Sequence, residues 1–200
     1  AGHIFKKKKY FDKTNIFPID SEHFSIFNKY KTLNINKNIN KIILTASGGP
    51  FHQYKYNSLT NISYKEAINH PKWKMGYKNS IDSATLVNKC LEVVEAHYLF
   101  NIPYNKIKIL IHPQAFIHSI IENNNYITYY NAFKNDMSIP LINFLMLTKY
   151  KNRKYNNKLS LSYLNKLDFK SVDNDIFPIY KFFINLDKSK PSNIIKFNIG

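Results

Sequence analysis

The sequence is poor in cysteine and glycine, and it lacks long apolar runs. Its single cysteine excludes an internal disulfide, so nothing indicates an oxidising compartment. No G-x-G-x-x-G motif follows a predicted strand, and five scattered glycines are too few for a dinucleotide-binding fold. No apolar run approaches the ~20 residues that a membrane-spanning helix needs. The N-terminus lacks a secretory apolar region and starts with Ala1 rather than Met, so we expect a fragment or a processed piece.

Acidic residues are scarce as well. The sequence has 13 Asp and Glu residues and 29 Lys and Arg residues, which gives a formal net charge of +16. Such a charge is typical of proteins that bind nucleic acid, anionic membranes or anionic substrates. Lysine is, however, spread along the chain among many Asn, Ile, Tyr and Phe residues, a composition that indicates a very AT-rich genome. We therefore expect weak polyanion binding as a side effect, with neither a specific nucleic acid nor a membrane as partner.

The most informative stretch covers residues 70–100. Between residues 82 and 98, apolar side chains recur at helical spacing, which predicts one amphipathic helix with Asp82 or Ser83 at its N-cap. Cys90 falls on the apolar side and is predicted to be a small core residue. Polar residues lie on the other side, and alone they indicate a solvated helix face: Thr85, Asn88, Lys89, Glu92 and Glu95. The segment before this helix is typical of a mobile lid with an apolar anchor, the only tryptophan.

Strands and helices are mixed along the rest of the chain. The patterns predict strands over residues 16–19, 41–45 and 107–111, a β-hairpin from 117–122 and 126–130, and helices over 24–30, 65–69 and 138–149. Ser138 is the predicted cap of the last helix. These elements predict an α/β fold, α+β-like, with a mixed central sheet, helices on one face and a site at the strand ends, closed by the lid.

Two short motifs carry possible binding chemistry. In an extended segment residues two apart point the same way, so Asp20 and Glu22 can offer two carboxylates to one cation, although a helix-capping turn is the alternative. Gly48 and Gly49 follow a predicted strand and allow backbone N–H groups to approach an anion, with the Ser47 hydroxyl as a further donor. An ordinary glycine turn is the alternative there.

Two histidines, His112 and His118, lie six residues apart after the strand at 107–111. Neither a thiolate nor a helical histidine spacing supports zinc, so we favour structural roles beside a site.

Several of these motifs together resemble one enzyme family. They are HPKWKMG, SIDSAT, LEVVEAH and LF within residues 70–100, DSEH at 20–23, SGGPF at 47–51, HPQ and IHS within 112–119, and DMSIPL at 136–141. The chain resembles the 1-deoxy-D-xylulose 5-phosphate reductoisomerases, clearly over residues 15–150 and faintly over 160–185. The resemblance implies an NADPH-dependent oxidoreductase and isomerase of non-mevalonate isoprenoid biosynthesis, which forms 2-C-methyl-D-erythritol 4-phosphate. His52 departs from the family, which commonly has arginine there.

The resemblance also implies roles for single residues. Asp20, Glu22 and Glu92 are expected to bind Mg²⁺ or Mn²⁺, because three carboxylates in one place repel one another unless a cation neutralises them. Glu22, Glu92 and His70 are the expected catalytic residues. Gly76 is expected to contact NADPH. Substrate-binding roles are expected for eight residues: Ser21, Ser47, His70, Trp73, Met75, Ser83, Asn88 and Lys89.

Domain organisation and partners follow from the same resemblance. We expect residues 1–185 to form the catalytic domain, and residues 186–200 to begin a linker to a C-terminal helical domain. That domain and the N-terminal NADPH domain are expected to be missing, so this chain alone should not be competent for reduction. A homodimer and a bacterial cytoplasm are expected, with a plastid-type organelle as the alternative location. Alternative functions are a decayed non-catalytic remnant and a basic RNA-binding module built on the many Tyr and Phe residues.

Overall fold

A mixed sheet forms the centre of the protein. The computed structural model describes residues 2–7, 16–33, 39–72, 75–123, 128–148 and 165–199. The described strands are β1 (Ile39–Ala46), β2 (Ile107–Ile111), β3 (Ile117–Asn123), β4 (Thr128–Ala132) and β5 (Lys170–Ser171), in the order β4-β3-β1-β2-β5. β1 and β2 are parallel and the other neighbours are antiparallel, which confirms the predicted mixed sheet.

Helices cover one face of this sheet. The α-helices within the described ranges are α1 (Gly2–Lys7), α2 (Ser21–Leu33), α3 (Tyr64–Ile68), α4 (Tyr77–Ala84), α5 (Val87–Phe100), α6 (Ser138–Thr148), α7 (Pro178–Asn185) and α8 (Pro191–Ile199). The main core joins the sheet to α2, α5, α7 and α8, and it contains Ile26, Leu44, Phe183 and Phe197. Cys90 is fully buried in this core, as predicted. None of the described helices has the length and apolar character needed to cross a bilayer.

Most predicted elements are found with modest shifts at their ends. The strands expected at 41–45 and 107–111 are β1 and β2, and the helices expected at 24–30, 65–69 and 138–149 are α2, α3 and α6. β3 and β4 pair antiparallel, which confirms the hairpin, although residues 124–127 lie outside the described ranges. Ser138, the predicted cap, is the first residue of α6. The Asp136 carboxylate accepts a hydrogen bond from the Ser138 N–H at 2.9 Å.

The predicted central helix is wrong as a single unit. Two helices, α4 and α5, replace it, with Thr85 and Leu86 between them. Leu86 has a φ of 69°, a left-handed conformation that a right-handed helix cannot contain, and burial of its side chain in the core stabilises this turn. Asp82 and Ser83 therefore lie in the last turn of α4, and neither is the N-cap of α5. The apolar period continues across the break, which is why the sequence does not show it.

The predicted strand at residues 16–19 is also wrong. These residues are irregular, and the Phe17 ring packs 5.0 Å from Phe27 and 5.3 Å from Phe144. α2 begins at Ser21, so Glu22 lies in its first turn while Asp20 precedes it. The extended geometry assumed for this pair is therefore incorrect, although the two carboxylates do meet.

The C-terminal residues of the chain pack onto the core. α8 brings Phe197 to 5.2 Å from Phe183, measured between ring centroids, and both rings are buried. The segment expected to begin a linker is thus helical over residues 191–199. The domain boundary at residues 185–186 stays a prediction.

α3 begins with a reciprocal cap whose loss should be measurable. The Ser63 hydroxyl accepts a hydrogen bond from the Glu66 N–H at 3.3 Å, and the Glu66 carboxylate accepts one from the Ser63 N–H at 2.8 Å. We expect Ser63→Ala to lower the free energy of unfolding by about 1 kcal/mol in chemical denaturation. The control is Ser58→Ala, an exposed residue in the preceding 3₁₀ turn, Tyr56–Asn61. Equal stability of the two variants would contradict this role.

Candidate active site

A cavity of about 380 Å³ opens where β1 ends. This volume lies in the range of small-molecule sites. The walls come from the start of α2, the turn after β1, the end of α4 and the first turns of α5. Ten residues with predicted site roles line it: Asp20, Ser21, Glu22, Ser47, His70, Met75, Ser83, Asn88, Lys89 and Glu92.

Three carboxylates from two distant parts of the chain meet in this cavity. Asp20, Glu22 and Glu92 each offer an oxygen, and these atoms all lie within 4.8 Å of one another. Asp20 and Glu22 are placed by the start of α2, whereas Glu92 projects from the second turn of α5. Carboxylate oxygens are the ligands that Mg²⁺ and Mn²⁺ prefer. The residues present therefore fit a divalent cation.

A buried lysine lies between two of these carboxylates. The Lys89 ammonium donates hydrogen bonds to Glu22 Oε1 and, at 2.7 Å, to Glu92 Oε2. Burial disfavours its charge, but the adjacent carboxylates outweigh burial and raise the pKa of Lys89 above its usual value. Lys89 is therefore a permanent cation inside the cluster. Its burial, with that of Glu92, shows that this part of the polar stripe is not solvated, whereas Glu95 is exposed.

Glu92 is the most buried acid of the cluster. Burial, together with the nearby Glu22 charge, raises the pKa of Glu92 well above its usual value, while Lys89 acts in the opposite direction. The Asn88 side-chain amide donates to Glu92 Oε1 at 2.6 Å and holds the carboxylate in one orientation. A carboxylate held in such surroundings needs a strong cationic partner in order to stay ionised.

His23 joins the two parts of the cluster, and sequence reasoning missed it. Its Nδ1 lies 2.7 Å from Asp20 Oδ2, and its Nε2 lies 2.9 Å from the backbone oxygen of Glu92. Burial opposes the charge, but Asp20 outweighs burial and raises the pKa of His23 to about 9. The pKa of Asp20 is lowered despite burial, because His23 and Lys89 are close. The only sequence signal was the place of His23 in DSEH. Glu95 lies 3.8 Å from His23 Nδ1.

The other half of the cavity offers hydrogen-bond donors. The Lys72 N–H donates to His70 Nδ1 at 3.1 Å, so the ring proton is on Nε2, which lies 3.1 Å from the Ser47 hydroxyl. Burial and Lys72 lower the pKa of His70, which keeps the ring neutral. Gly48 and Gly49 have φ of 84° and 61°, a left-handed conformation that favours glycine. The predicted glycine turn is therefore present beside the Ser47 hydroxyl.

The structure leaves some expected residues outside this group. Gly76 precedes α4 and is exposed, outside the set of residues that line the cavity. Trp73 lies outside the described residues. Ser83 lines the cavity from the last turn of α4, so its expected place at the start of the central helix is wrong. Sequence reasoning gave no site role to several other lining residues, among them Asn79, Ala115 and Met137.

His112 and His118 each contact a backbone oxygen, as expected for the predicted structural roles. His112 Nδ1 lies 2.8 Å from the backbone oxygen of Asp168, and His118 Nε2 lies 3.1 Å from that of Phe133. His118 also lines the cavity. The His118 ring therefore supports a wall of the site, whereas His112 is not among the lining residues.

Comparisons with known proteins identify relatives of this chain. Residues 16–100 match the family model of the 1-deoxy-D-xylulose 5-phosphate reductoisomerase C-terminal domain. The chain is 42% identical over 186 residues to the 1-deoxy-D-xylulose 5-phosphate reductoisomerase of Pelagibacter ubique, covering 92% of this chain and 47% of that protein.

Solved structures of such enzymes share the fold. A crystal structure of DOX-P reductoisomerase in complex with NADPH, fosmidomycin and magnesium matches with a TM-score of 0.79 and 34% identity, over 92% of this chain and 47% of that one. The enzyme of Zymomonas mobilis in complex with NADPH matches with a TM-score of 0.76 and 34% identity, over 88% and 45%.

These likenesses do not favour the remnant or the RNA-binding alternative. The chain spans about half the length of the curated relatives that it matches. Over that shared half, its sequence, its fold and the residues of its cavity lead to one conclusion. The chain belongs to the 1-deoxy-D-xylulose 5-phosphate reductoisomerase family.

Proposed function

We propose that this chain supplies the metal- and substrate-binding part of a 1-deoxy-D-xylulose 5-phosphate reductoisomerase. The enzyme would rearrange the carbon skeleton of this sugar phosphate and reduce the product with NADPH to 2-C-methyl-D-erythritol 4-phosphate. One observation carries the proposal: Asp20, Glu22 and Glu92 converge within 4.8 Å beside a cavity of small-molecule size.

The acidic half of the cavity would hold the reacting end of the substrate. Asp20, Glu22 and Glu92 would bind Mg²⁺ or Mn²⁺, which supplies Lewis-acid stabilisation to an oxyanion. Asn88 fixes the Glu92 carboxylate by its 2.6 Å hydrogen bond, so this ligand needs little reorganisation. The Ser21 hydroxyl lies beside Glu22 on the cavity wall and would bond a substrate oxygen.

Polar side chains of the same cavity would bind the phosphate group. Ser47 and Ser83 offer hydroxyls, Asn88 an amide and Lys89 an ammonium, and all four line the same cavity. Asn88, Lys89 and Glu92 project from α5, so one rigid element would hold both ends of a short substrate. His70, buried beside Ser47, would donate its Nε2 proton to a substrate oxygen.

Closure and reduction would involve Met75 on the cavity wall and residues outside it. Met75 lines the cavity and is 36% exposed, which suits a residue that covers bound substrate, and Trp73 is proposed to act with it. NADPH is present in structures of the related enzymes. Gly76 would contact it, while its binding domain would lie outside residues 1–185, the proposed catalytic domain. We expect this chain alone to bind substrate without reducing it.

A homodimer is also proposed. On α6 the apolar side chains Leu141, Phe144 and Leu145 are between 39% and 55% exposed, and a pairing surface would cover such residues. A bacterial cytoplasm is the proposed location, because the HPQ stretch resembles bacterial members and the single cysteine suits a reducing compartment.

Substrate binding tests the proposed function. With Mn²⁺ present, isothermal titration calorimetry should show binding of 1-deoxy-D-xylulose 5-phosphate, and EDTA should abolish it. Ser47→Ala should weaken binding about tenfold, because a hydrogen bond to a charged group contributes about 1.5 kcal/mol. Ser58→Ala, on the exposed 3₁₀ turn, is the control. A folded chain that binds no sugar phosphate with Mn²⁺ present would overturn the proposal.

A further inference from the structure

The Lys89 ammonium already bridges two of the three carboxylates that a cation would bind. It donates to one oxygen of Glu22 and to one oxygen of Glu92, the second at 2.7 Å. The remaining oxygens accept hydrogen bonds from the Ser21 hydroxyl and, at 2.6 Å, from the Asn88 amide. Every carboxylate oxygen of Glu22 and Glu92 therefore has a donor, and the only charged donor among these is Lys89.

A divalent cation cannot join the cluster while Lys89 stays there. Such an ion approaches its oxygen ligands to about 2.0–2.2 Å. An ammonium hydrogen-bonded to Glu22 and Glu92 would then lie within a few ångströms of the ion, in a buried site where repulsion between charges is weakly screened. Binding of the ion must therefore displace the ammonium from at least one carboxylate.

The cavity also determines where the displaced ammonium can go. Lys89 is only 6% exposed, so it does not simply move into solvent. The same cavity is also lined by Ser47 and Ser83, and a lysine side chain has a flexible four-carbon stem that can turn between two partners. A phosphate group bound there would supply the counter-charge that Lys89 loses at the carboxylates.

We propose that Lys89 is an exchangeable counter-cation, which the divalent ion displaces from Glu22 and Glu92 toward the phosphate half of the cavity. The inference rests on the proposed function, since it uses both the metal site and the phosphate site. Without the ion, moving Lys89 to a phosphate group would leave the buried Glu92 and the half-buried Glu22 carboxylates without a cationic partner. The ion and the phosphate group should therefore bind with positive coupling, and the coupling must be reciprocal.

Mn²⁺ binding can be measured without turnover, from the electron paramagnetic resonance signal of free Mn²⁺. Methylphosphonate serves as a soluble probe for the phosphate site. In the wild-type chain, saturating methylphosphonate should tighten Mn²⁺ binding about tenfold. In Lys89→Met, Mn²⁺ alone should bind about tenfold more tightly than in the wild type, because no ammonium competes, and methylphosphonate should change its affinity less than about twofold.

The matched control is Lys78→Met. Lys78 is exposed on α4, where it pairs with Asp82, so this variant loses the same unit of charge outside the cavity. It should retain the affinity and coupling of the wild type. Unchanged or weaker Mn²⁺ binding in Lys89→Met, or full coupling in that variant, would overturn the displacement while the proposed function stands. Failure of both the wild type and Lys89→Met to bind Mn²⁺ would contradict the metal site itself.

Discussion

Glu92→Gln is expected to abolish the thermal stabilisation that Mn²⁺ gives to the wild-type chain. The substitution keeps the size of the side chain and removes the charged ligand that α5 contributes to the cluster. Saturation to about 100 times the dissociation constant stabilises a folded chain by about 2.7 kcal/mol. For a protein of this length that corresponds to a melting-temperature rise of about 5–10 °C, measurable by differential scanning calorimetry.

The control for this variant lies one turn further along α5. Glu95→Gln loses the same charge from the same helix, but Glu95 is exposed and lies outside the three-carboxylate cluster. It should keep the Mn²⁺-dependent rise. If Glu92→Gln keeps a full rise, the ion binds elsewhere and the cluster is not its site. Absence of any rise in the wild type would weigh against the metal site as a whole.

Gly49→Ala is expected to destabilise the chain and to weaken phosphate binding together. Gly49 has a φ of 61°, which costs a residue with a side chain about 1–2 kcal/mol. An added Cβ would also lie 3.0 Å from both Ala84 Cα and Ser83 O. Both contacts are with the backbone of α4, so no side-chain rotation relieves them. We expect the free energy of unfolding to fall by about 2–3 kcal/mol in urea titrations.

Gly76→Ala is the matched control, because nothing lies within 4 Å of a Cβ added there. Its stability should stay within about 0.5 kcal/mol of the wild type. Methylphosphonate affinity should fall in Gly49→Ala, since the substitution displaces the end of α4 and, with it, Ser83. Equal stability of the two variants would show that the turn after β1 tolerates a side chain and does not hold α4 in place.

The sheet could be read from the sequence because burial leaves a direct pattern there. β1 and β2 are rich in buried Ile and Leu, and the alternation before and after residues 123–125 predicts a hairpin. Residues 16–19 look similar, yet Phe17 packs against the rings of Phe27 and Phe144. A short apolar run shows burial, but it does not show which partner covers it.

The site could be predicted only through the family motifs. Periodicity placed Lys89 and Glu92 on a polar stripe, for which solvent is the ordinary neighbour. Their burial depends on Glu22, which contacts Lys89 from a different element, and no local pattern reports such a contact. The place of His23 between Asp20 and Glu92 is likewise a tertiary fact. The left-handed Leu86 could not be predicted, because leucine rarely adopts that conformation.

The bend at Leu86 determines how an anion can be surrounded. On one uninterrupted helix, Ser83 and Asn88 would point about 140° apart, and a small group could not touch both. The change of direction after Ala84 lets both side chains line the same cavity. A tetrahedral anion can therefore accept hydrogen bonds from two helices with different axes, α4 and α5, which a single straight helix of any sequence could not provide.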